Sequence, residues 1–311
     1  MSVPAAIGLN EAVRPTVLIR PVALSDQLGV RLTLATETFQ HTGSFKFRAA
    51  YNVSLKVPQQ EIIAASSGNF GQALAYACKL IGKSCIVVMP TTSAVVKVES
   101  VRSYGATVDL IDTRLTTRAA RLTQIAREHP SAYVTNAYDD PFVIEGNATL
   151  GAELAASGEN WDSIIVPVGG GGLISGIANG LRTAGSHVDL IGAEPALGGD
   201  AARSLRLGHI VTNESEPPTI ADGARTVSLG KHNWPIIQKE VRDIVEVSEQ
   251  NIAEALRYLF RFANLKVEPT GALSLGAILE QRKRFAGRSI CCVISGGNVD
   301  ATLYASLLSR S

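Results

Sequence analysis

No stretch of this chain approaches the roughly 18 consecutive apolar residues of a membrane-spanning helix, and its N-terminus lacks the basic flank and apolar core of a secretory leader. Net charge is missing too: 29 Lys and Arg against 28 Asp and Glu leave +1, which draws the chain to neither nucleic acid nor an anionic membrane. Cysteine is scarce. The four present, Cys78, Cys85, Cys291 and Cys292, have no CxxC spacing, and the five histidines are scattered. Buried thiols in a reducing compartment are therefore the expectation, rather than a disulfide framework or a Cys/His metal site. A cytoplasmic location follows as the default. There is also no internal repeat, no low-complexity tract and no Pro/Gly-rich linker to mark off separate modules.

What is present is a packed globular chain. Its 311 residues are 46% hydrophobic and 18% charged, enough for one large core or two moderate ones. Apolar runs at 62–65, 85–89, 106–111, 163–168, 188–191, 244–247 and 289–294 read as strands. Helical stretches at 72–80, 94–104, 116–128, 141–156, 173–181, 249–263 and 271–282 separate most of them. This alternation predicts right-handed βαβ units around parallel sheets. Residues 197–218 read as irregular. In the run 289–294, strand alternation points Cys291 and Cys292 to opposite faces.

The chain is organised around Thr42-Gly43-Ser44-Phe45-Lys46-Phe47-Arg48. Three polar loops follow apolar runs elsewhere: Ser66-Ser67-Gly68-Asn69, Gly169-Gly170-Gly171-Gly172 and Ser295-Gly296-Gly297-Asn298. Consecutive glycines let the backbone approach a ligand closely, and the helix that follows offers unpaired N–H groups and a positive dipole end. A phosphate is the natural guest. Two nucleotide motifs fail on spacing, because Leu173 follows the run where a P-loop needs Lys, and Ile174 or Ser175 stands where GxGxxG needs its last glycine. One lysine with three such loops suggests a phosphate-bearing cofactor held as a Schiff base.

These segments, with Gly192-Ala193-Glu194-Pro195, Ile220-Ala221-Asp222-Gly223 and Glu268-Pro269-Thr270-Gly271-Ala272, occur in an order that resembles the fold-type II pyridoxal-phosphate enzymes. The branch is that of serine/threonine dehydratases, serine racemase and 3-hydroxyaspartate dehydratase. The resemblance covers nearly the whole chain. It implies an α/β, tryptophan synthase β-like fold of two domains, each an open, mostly parallel twisted sheet flanked by helices. Residues 1–52 and 141–311 would form the larger domain and 53–140 a smaller mobile one, with pyridoxal 5'-phosphate in the cleft. It also implies a homodimer and a small amino-acid substrate. The chain ends soon after Asn298, which leaves no room for the regulatory domain of longer members.

By the same resemblance Lys46 is the Schiff-base lysine, and Phe45 packs against the cofactor ring. Asn69 donates to the ring hydroxyl, Gly169, Gly170, Gly171, Gly172 and Leu173 hold the phosphate, and Ser295 faces the pyridine nitrogen. Ser66, Ser67, Gly68 and Asn69 grip the substrate carboxylate, while also suiting an ordinary helix N-cap. Glu194, the Gly198 carbonyl and Asp200 match a divalent-cation site suited to Mg²⁺ or Ca²⁺, or are plain surface groups. The chain departs from the family at Phe70, where a histidine is usual, at Gly146-Asn147-Ala148-Thr149, and at Tyr138. Phe70 and Tyr138 would give a more apolar or bulkier β-pocket, preferring threonine-like or aryl β-hydroxy substrates over 3-hydroxyaspartate. The implied activity is a carbon–oxygen ammonia-lyase acting on a serine- or threonine-like amino acid. The alternatives are 3-hydroxyaspartate dehydration, and racemisation with Lys46 and Ser67 on opposite faces of Cα. A non-catalytic cofactor carrier would have little reason to keep Lys46, Ser67, Asn69 and Ser295 together.

Overall fold

A computed structural model describes residues 7–66, 68–93 and 95–309. In chain order, the first elements are α1 (Leu9–Ala12), β1 (Val17–Ile19), α2 (Val22–Leu28), β2 (Arg31–Thr36), a 3-10 turn (His41–Gly43) and α3 (Lys46–Lys56). Then come β3 (Glu61–Ala65), α4 (Asn69–Ile81), β4 (Ser84–Pro90), α5 (Val95–Ser103), β5 (Thr107–Ile111), α6 (Arg118–Glu128), β6 (Tyr133–Val134) and α7 (Pro141–Ala156). The rest is β7 (Ser163–Pro167), α8 (Gly172–Thr183), β8 (Asp189–Pro195), α9 (Asp200–Leu207), a 3-10 turn (Asp222–Ala224), α10 (Trp234–Glu240), β9 (Val241–Val247), α11 (Glu249–Ala263), α12 (Pro269–Glu280), α13 (Arg282–Phe285), β10 (Ser289–Ile294) and α14 (Ala301–Ser309).

The strands form two sheets, one ordered β1-β2-β10-β7-β8-β9 and the other β5-β4-β3-β6. All pairings are parallel except β1 with β2. Helices cover both faces of the larger sheet, as the near-continuous apolar strands predict. Central β10 sends Ile290, Cys292 and Ile294 into one core with α11 and α12, and Cys291 and Val293 into another with α7 and α8. The two thiols do face opposite ways, and all four cysteines are buried. The smaller sheet packs α3, α4 and α5 on one side, and Ile125 of α6 on the other.

Several short helices escape a sequence reading. The stretch expected to be irregular contains α9, bracketed by left-handed glycines at Gly199 and Gly208; eight residues are too few to establish a periodicity. By contrast, α7 and α11 announce their starts. The Asp140 side chain accepts from Phe142 N–H ahead of Pro141, and the Ser248 side chain accepts from Asn251 N–H, as capping residues do. Among the described residues no helix is long and apolar enough to cross a membrane.

Candidate active site

The segment ahead of Lys46 is held in an uncommon shape. Thr42 is β-branched yet sits at φ 59°, a region such residues rarely enter. Its carbonyl accepts from Asn298 Nδ2 at 2.7 Å, while the Gly297 N–H donates to the Gly43 carbonyl and the Phe45 N–H to the Ser295 carbonyl, both at 3.0 Å. The turn is thus zipped to the loop after β10, which fixes where α3 begins.

The partly buried Lys46 side chain extends from that first turn. Its Nζ donates to the Ala137 carbonyl at 2.7 Å and lies 4.9 Å from the Phe45 ring centroid and 5.7 Å from that of Phe70. Burial lowers its pKa to about 8, against an opposing pull from Glu268. A neutral amine is therefore accessible at working pH, as nucleophilic and general-base lysines require.

Ala137 leads directly to Tyr138, and Tyr138 leads to the glycines. A Cβ on Gly170 would lie 2.1 Å from the Tyr138 ring, and one on Gly171, at φ +93°, would lie 2.7 Å from Ile237. The Gly170 carbonyl accepts from Gly230 N–H at 3.0 Å and from Asn233 Nδ2 at 2.8 Å. The Gly172 carbonyl accepts from Asn147 Nδ2 at 3.0 Å. These carbonyls are turned into protein. The N–H groups of residues 169–172 have no carbonyl or side-chain acceptor among the described residues, and they stand at the N-terminus of α8. Leu173 is 5% exposed and belongs to the core beneath.

Asn69 opens α4 after Gly68, whose N–H donates to Ser66 Oγ at 3.4 Å. Ser67 lies outside the described residues. The Asn69 amide is held at both ends: Nδ2 donates to the two oxygens of Glu268 at 2.9 and 3.0 Å, and Oδ1 accepts from Asn298 Nδ2 at 2.9 Å. Ser295 is 2% exposed, and its Oγ has no partner among the described residues. A buried hydroxyl left unpaired is costly, so it marks a place for a polar guest. Free N–H groups over a helix start, an unpaired hydroxyl and a depressed lysine together fit a phosphate-bearing pyridine aldehyde.

Phe70 is 1% exposed and packs in the core of the smaller sheet, with Lys46 Nζ 5.7 Å from its ring centroid. Tyr138 packs on the glycine loop.

Glu194, Gly198 and Asp200 do gather. Glu194 accepts from the N–H groups of Ala201 and Ala202 at 3.1 and 2.6 Å. The Gly198 carbonyl and Asp200 Oδ1 both accept from Asn213 Nδ2, at 3.1 and 3.2 Å. Asp200 Oδ2 is buried without a partner among the described residues, and burial raises Glu194 to about 8 and Asp200 to about 6. Such a desolvated pair suits a cation.

Sequence reasoning passed over the contacts made by Glu268, Ala137, Asn233 and Asn298. The one available signal was Glu268, a carboxylate set between apolar Val267 and a Pro-Thr-Gly helix start.

The profile of the family described as pyridoxal-phosphate dependent enzyme matches residues 9–296. The chain is 37% identical over 289 residues to the L-threo-3-hydroxyaspartate ammonia-lyase of Pseudomonas sp, covering 92% of this chain and 90% of that one. It is 35% identical over 278 residues to the serine racemase of Schizosaccharomyces pombe, covering 88% and 85%. The crystal structure of the T.th. threonine deaminase matches with a TM-score of 0.87 at 38% identity, over 94% of this chain and 95% of that one. The chain therefore belongs to the pyridoxal-phosphate dependent enzymes of fold type II, and its cofactor is pyridoxal phosphate.

Proposed function

We propose that this enzyme eliminates water from a small β-hydroxy amino acid, and that a water then hydrolyses the released enamine to a 2-oxo acid and ammonia. The observation that carries the reading is the state of Lys46: an amine lowered to about 8, held by one carbonyl and linked through Tyr138 to an open ring of backbone N–H groups. Its similarity to a hydroxyaspartate ammonia-lyase and a threonine deaminase supports the same chemistry.

When bound, pyridoxal phosphate supplies an electron sink for the pair left behind as the substrate loses its Cα proton. The residues of this chain bind, orient and move that proton. The N–H groups of 169–172, Leu173 and the start of α8 hold the phosphate, and Phe45 packs on the ring. Ser66, Ser67, Gly68 and Asn69 bind the substrate carboxylate, and the Asn69 side-chain amide also donates to the ring hydroxyl of the cofactor. Lys46 Nζ takes the Cα proton as general base. Ser295, a neutral hydroxyl, meets the ring nitrogen without fixing a proton on it as a carboxylate would, which favours prompt loss of the β-hydroxyl. Glu194, the Gly198 carbonyl and Asp200 hold Mg²⁺ or Ca²⁺.

Racemisation is the second reading, favoured by similarity to a serine racemase; it needs a second proton donor opposite Lys46, the role assigned to Ser67. Incubating the loaded enzyme with serine, threonine and 3-hydroxyaspartate isomers tests both, with 2-oxo acids and enantiomers quantified. Elimination should dominate for at least one L-isomer. Enantiomer exchange without 2-oxo acid would replace the lyase reading with the racemase one, and no turnover of any isomer would remove both.

A further inference from the structure

We propose that Glu268 is a positioning residue: it locks the Asn69 side chain so that one Nδ2–H stays free to donate into the cofactor site. The inference rests on the reading above, in which Asn69 faces the cofactor.

The geometry is specific. Glu268 immediately precedes α12, with its N–H donating to the Gly296 carbonyl at 3.1 Å and only 4% of its surface exposed. The approach to the loop after β10 is close, since a Cβ on Gly296 would lie 2.7 Å from Glu268 Oε1. Both carboxylate oxygens take hydrogen bonds from the same nitrogen, at 2.9 and 3.0 Å. Two oxygens of one carboxylate subtend a much narrower angle at that nitrogen than the angle between its two N–H bonds. A single N–H must therefore fork between them, which leaves the second unused. The amide cannot turn over, because exchange of its oxygen and nitrogen would set a carbonyl against the carboxylate and an NH₂ against Asn298 Nδ2. Fixed at both ends, Asn69 presents its spare N–H in one direction only.

The lock also responds to pH. Glu268 is faced by Asn69 on α4, Lys46 on α3, Lys97 on α5 and Asp222 in the turn before α10. Burial, then Asp222, raise its pKa to about 7, while Asn69 and the two lysines pull it down. The carboxylate is an acceptor at both oxygens, whereas the acid gives one oxygen up to a proton. Grip on Asn69 is therefore complete above neutrality and loosens as pH falls through about 7.

The test is a titration of the visible absorption band of the pyridoxal-phosphate-loaded protein across the neutral range. It is paired with cofactor dissociation constants and melting of the apoprotein, for wild type, Glu268→Gln, Glu268→Leu and Asn69→Ala. Glu268→Gln keeps an acceptor but cannot titrate, so its band should lose the neutral pH step shown by wild type. Glu268→Leu removes the lock, so cofactor affinity should fall about tenfold, as when a charge-assisted hydrogen bond is lost, with the apoprotein melting no lower than wild type. If Asn69→Ala alters the band and affinity while both Glu268 variants match wild type, the inference is overturned and the reading of Asn69 survives. If Asn69→Ala changes neither, Asn69 does not face the cofactor, and the inference falls with that assignment.

Discussion

Lys46 and Arg48 stand two residues apart at the start of α3, and the fold treats these two cations in opposite ways. Arg48 is 0% exposed and saturated with partners. Its Nε and Nη2 donate to the two oxygens of Glu37 at 2.8 and 2.9 Å, and Nη1 donates to Glu153 at 2.6 Å and to Thr149 at 3.0 Å. Burial alone would lower its pKa, but Glu37 and Glu153 outweigh that and raise it above the ordinary value. Lys46 has one carbonyl and two aromatic faces, and its pKa falls to about 8. The nearby carboxylate, Glu268, spends its hydrogen bonds on Asn69. The supply of anionic partners, more than depth, decides whether an enclosed cation becomes a tie or a reactive amine.

The largest effect should come from emptying the saturated site. Arg48→Met leaves Glu37 buried without its partner and should cost about 3–5 kcal/mol in denaturant unfolding. Arg48→Lys should recover little of this, since a point charge cannot reproduce the planar fork. A loss below about 1 kcal/mol would show that the cluster contributes nothing beyond shape.

The starved site should respond with the opposite sign. A lysine lowered from 10.5 to about 8 carries a burial penalty of at most about 3 kcal/mol while both folded and unfolded chains are protonated. Above pH 8 the folded apoprotein releases its proton first, the unfolded chain then binds more protons, and stability climbs until about 10.5. Lys46→Met should therefore be more stable than wild-type apoprotein at pH 7, with the gap closing as pH rises through 8 to 10.5, and should have no turnover. A gap that is flat with pH would mean the amine is not desolvated.

Glu194 and Asp200 sharpen the comparison from the other sign, being buried carboxylates with no ion-pair partner among the described residues. If a divalent cation completes them, Mg²⁺ or Ca²⁺ at a hundredfold excess over its dissociation constant should stabilise the native state by about 2.7 kcal/mol. A chelator should reverse this. Melting that ignores both ion and chelator would leave these carboxylates without a cation.

Legibility in the sequence follows the same division between local and distant causes. The strands at 163–167 and 289–294 and the helices at 141–156 and 249–263 could be read because buried runs and capping residues are local signals. The glycine loop and Lys46 could be read because their chemistry demands particular residue types in short order. The orientation of Phe70 was harder to read, since it adjoins Asn69 in sequence but helical rotation on α4 carries its ring into the core of the smaller sheet. The Glu268–Asn69 contact spans 199 residues, and the Ala137 carbonyl has no side chain to advertise it. Both depend on how distant segments meet, which no local pattern encodes.

Lys97 provides the smallest and most discriminating case. It lies on α5 beside the smaller sheet and pairs at 3.2 Å with Asp222, in the turn before α10. It therefore has the anionic partner that Lys46 lacks, yet its side chain is 36% exposed and that of Asp222 46%. Water competes for both charges, and holding two flexible side chains together costs rotamer freedom. Such a pair is worth about 0–1 kcal/mol and weakens with salt. Lys97→Ala should accordingly shift unfolding by less than about 1 kcal/mol at low ionic strength, and by nothing measurable in about 1 M salt, where the screening length falls to about 3 Å. If the variant instead loses as much as Arg48→Met and keeps that loss in salt, a partner alone would suffice to make a cation structural. The contrast between Lys46 and Arg48 would then need no contribution from enclosure.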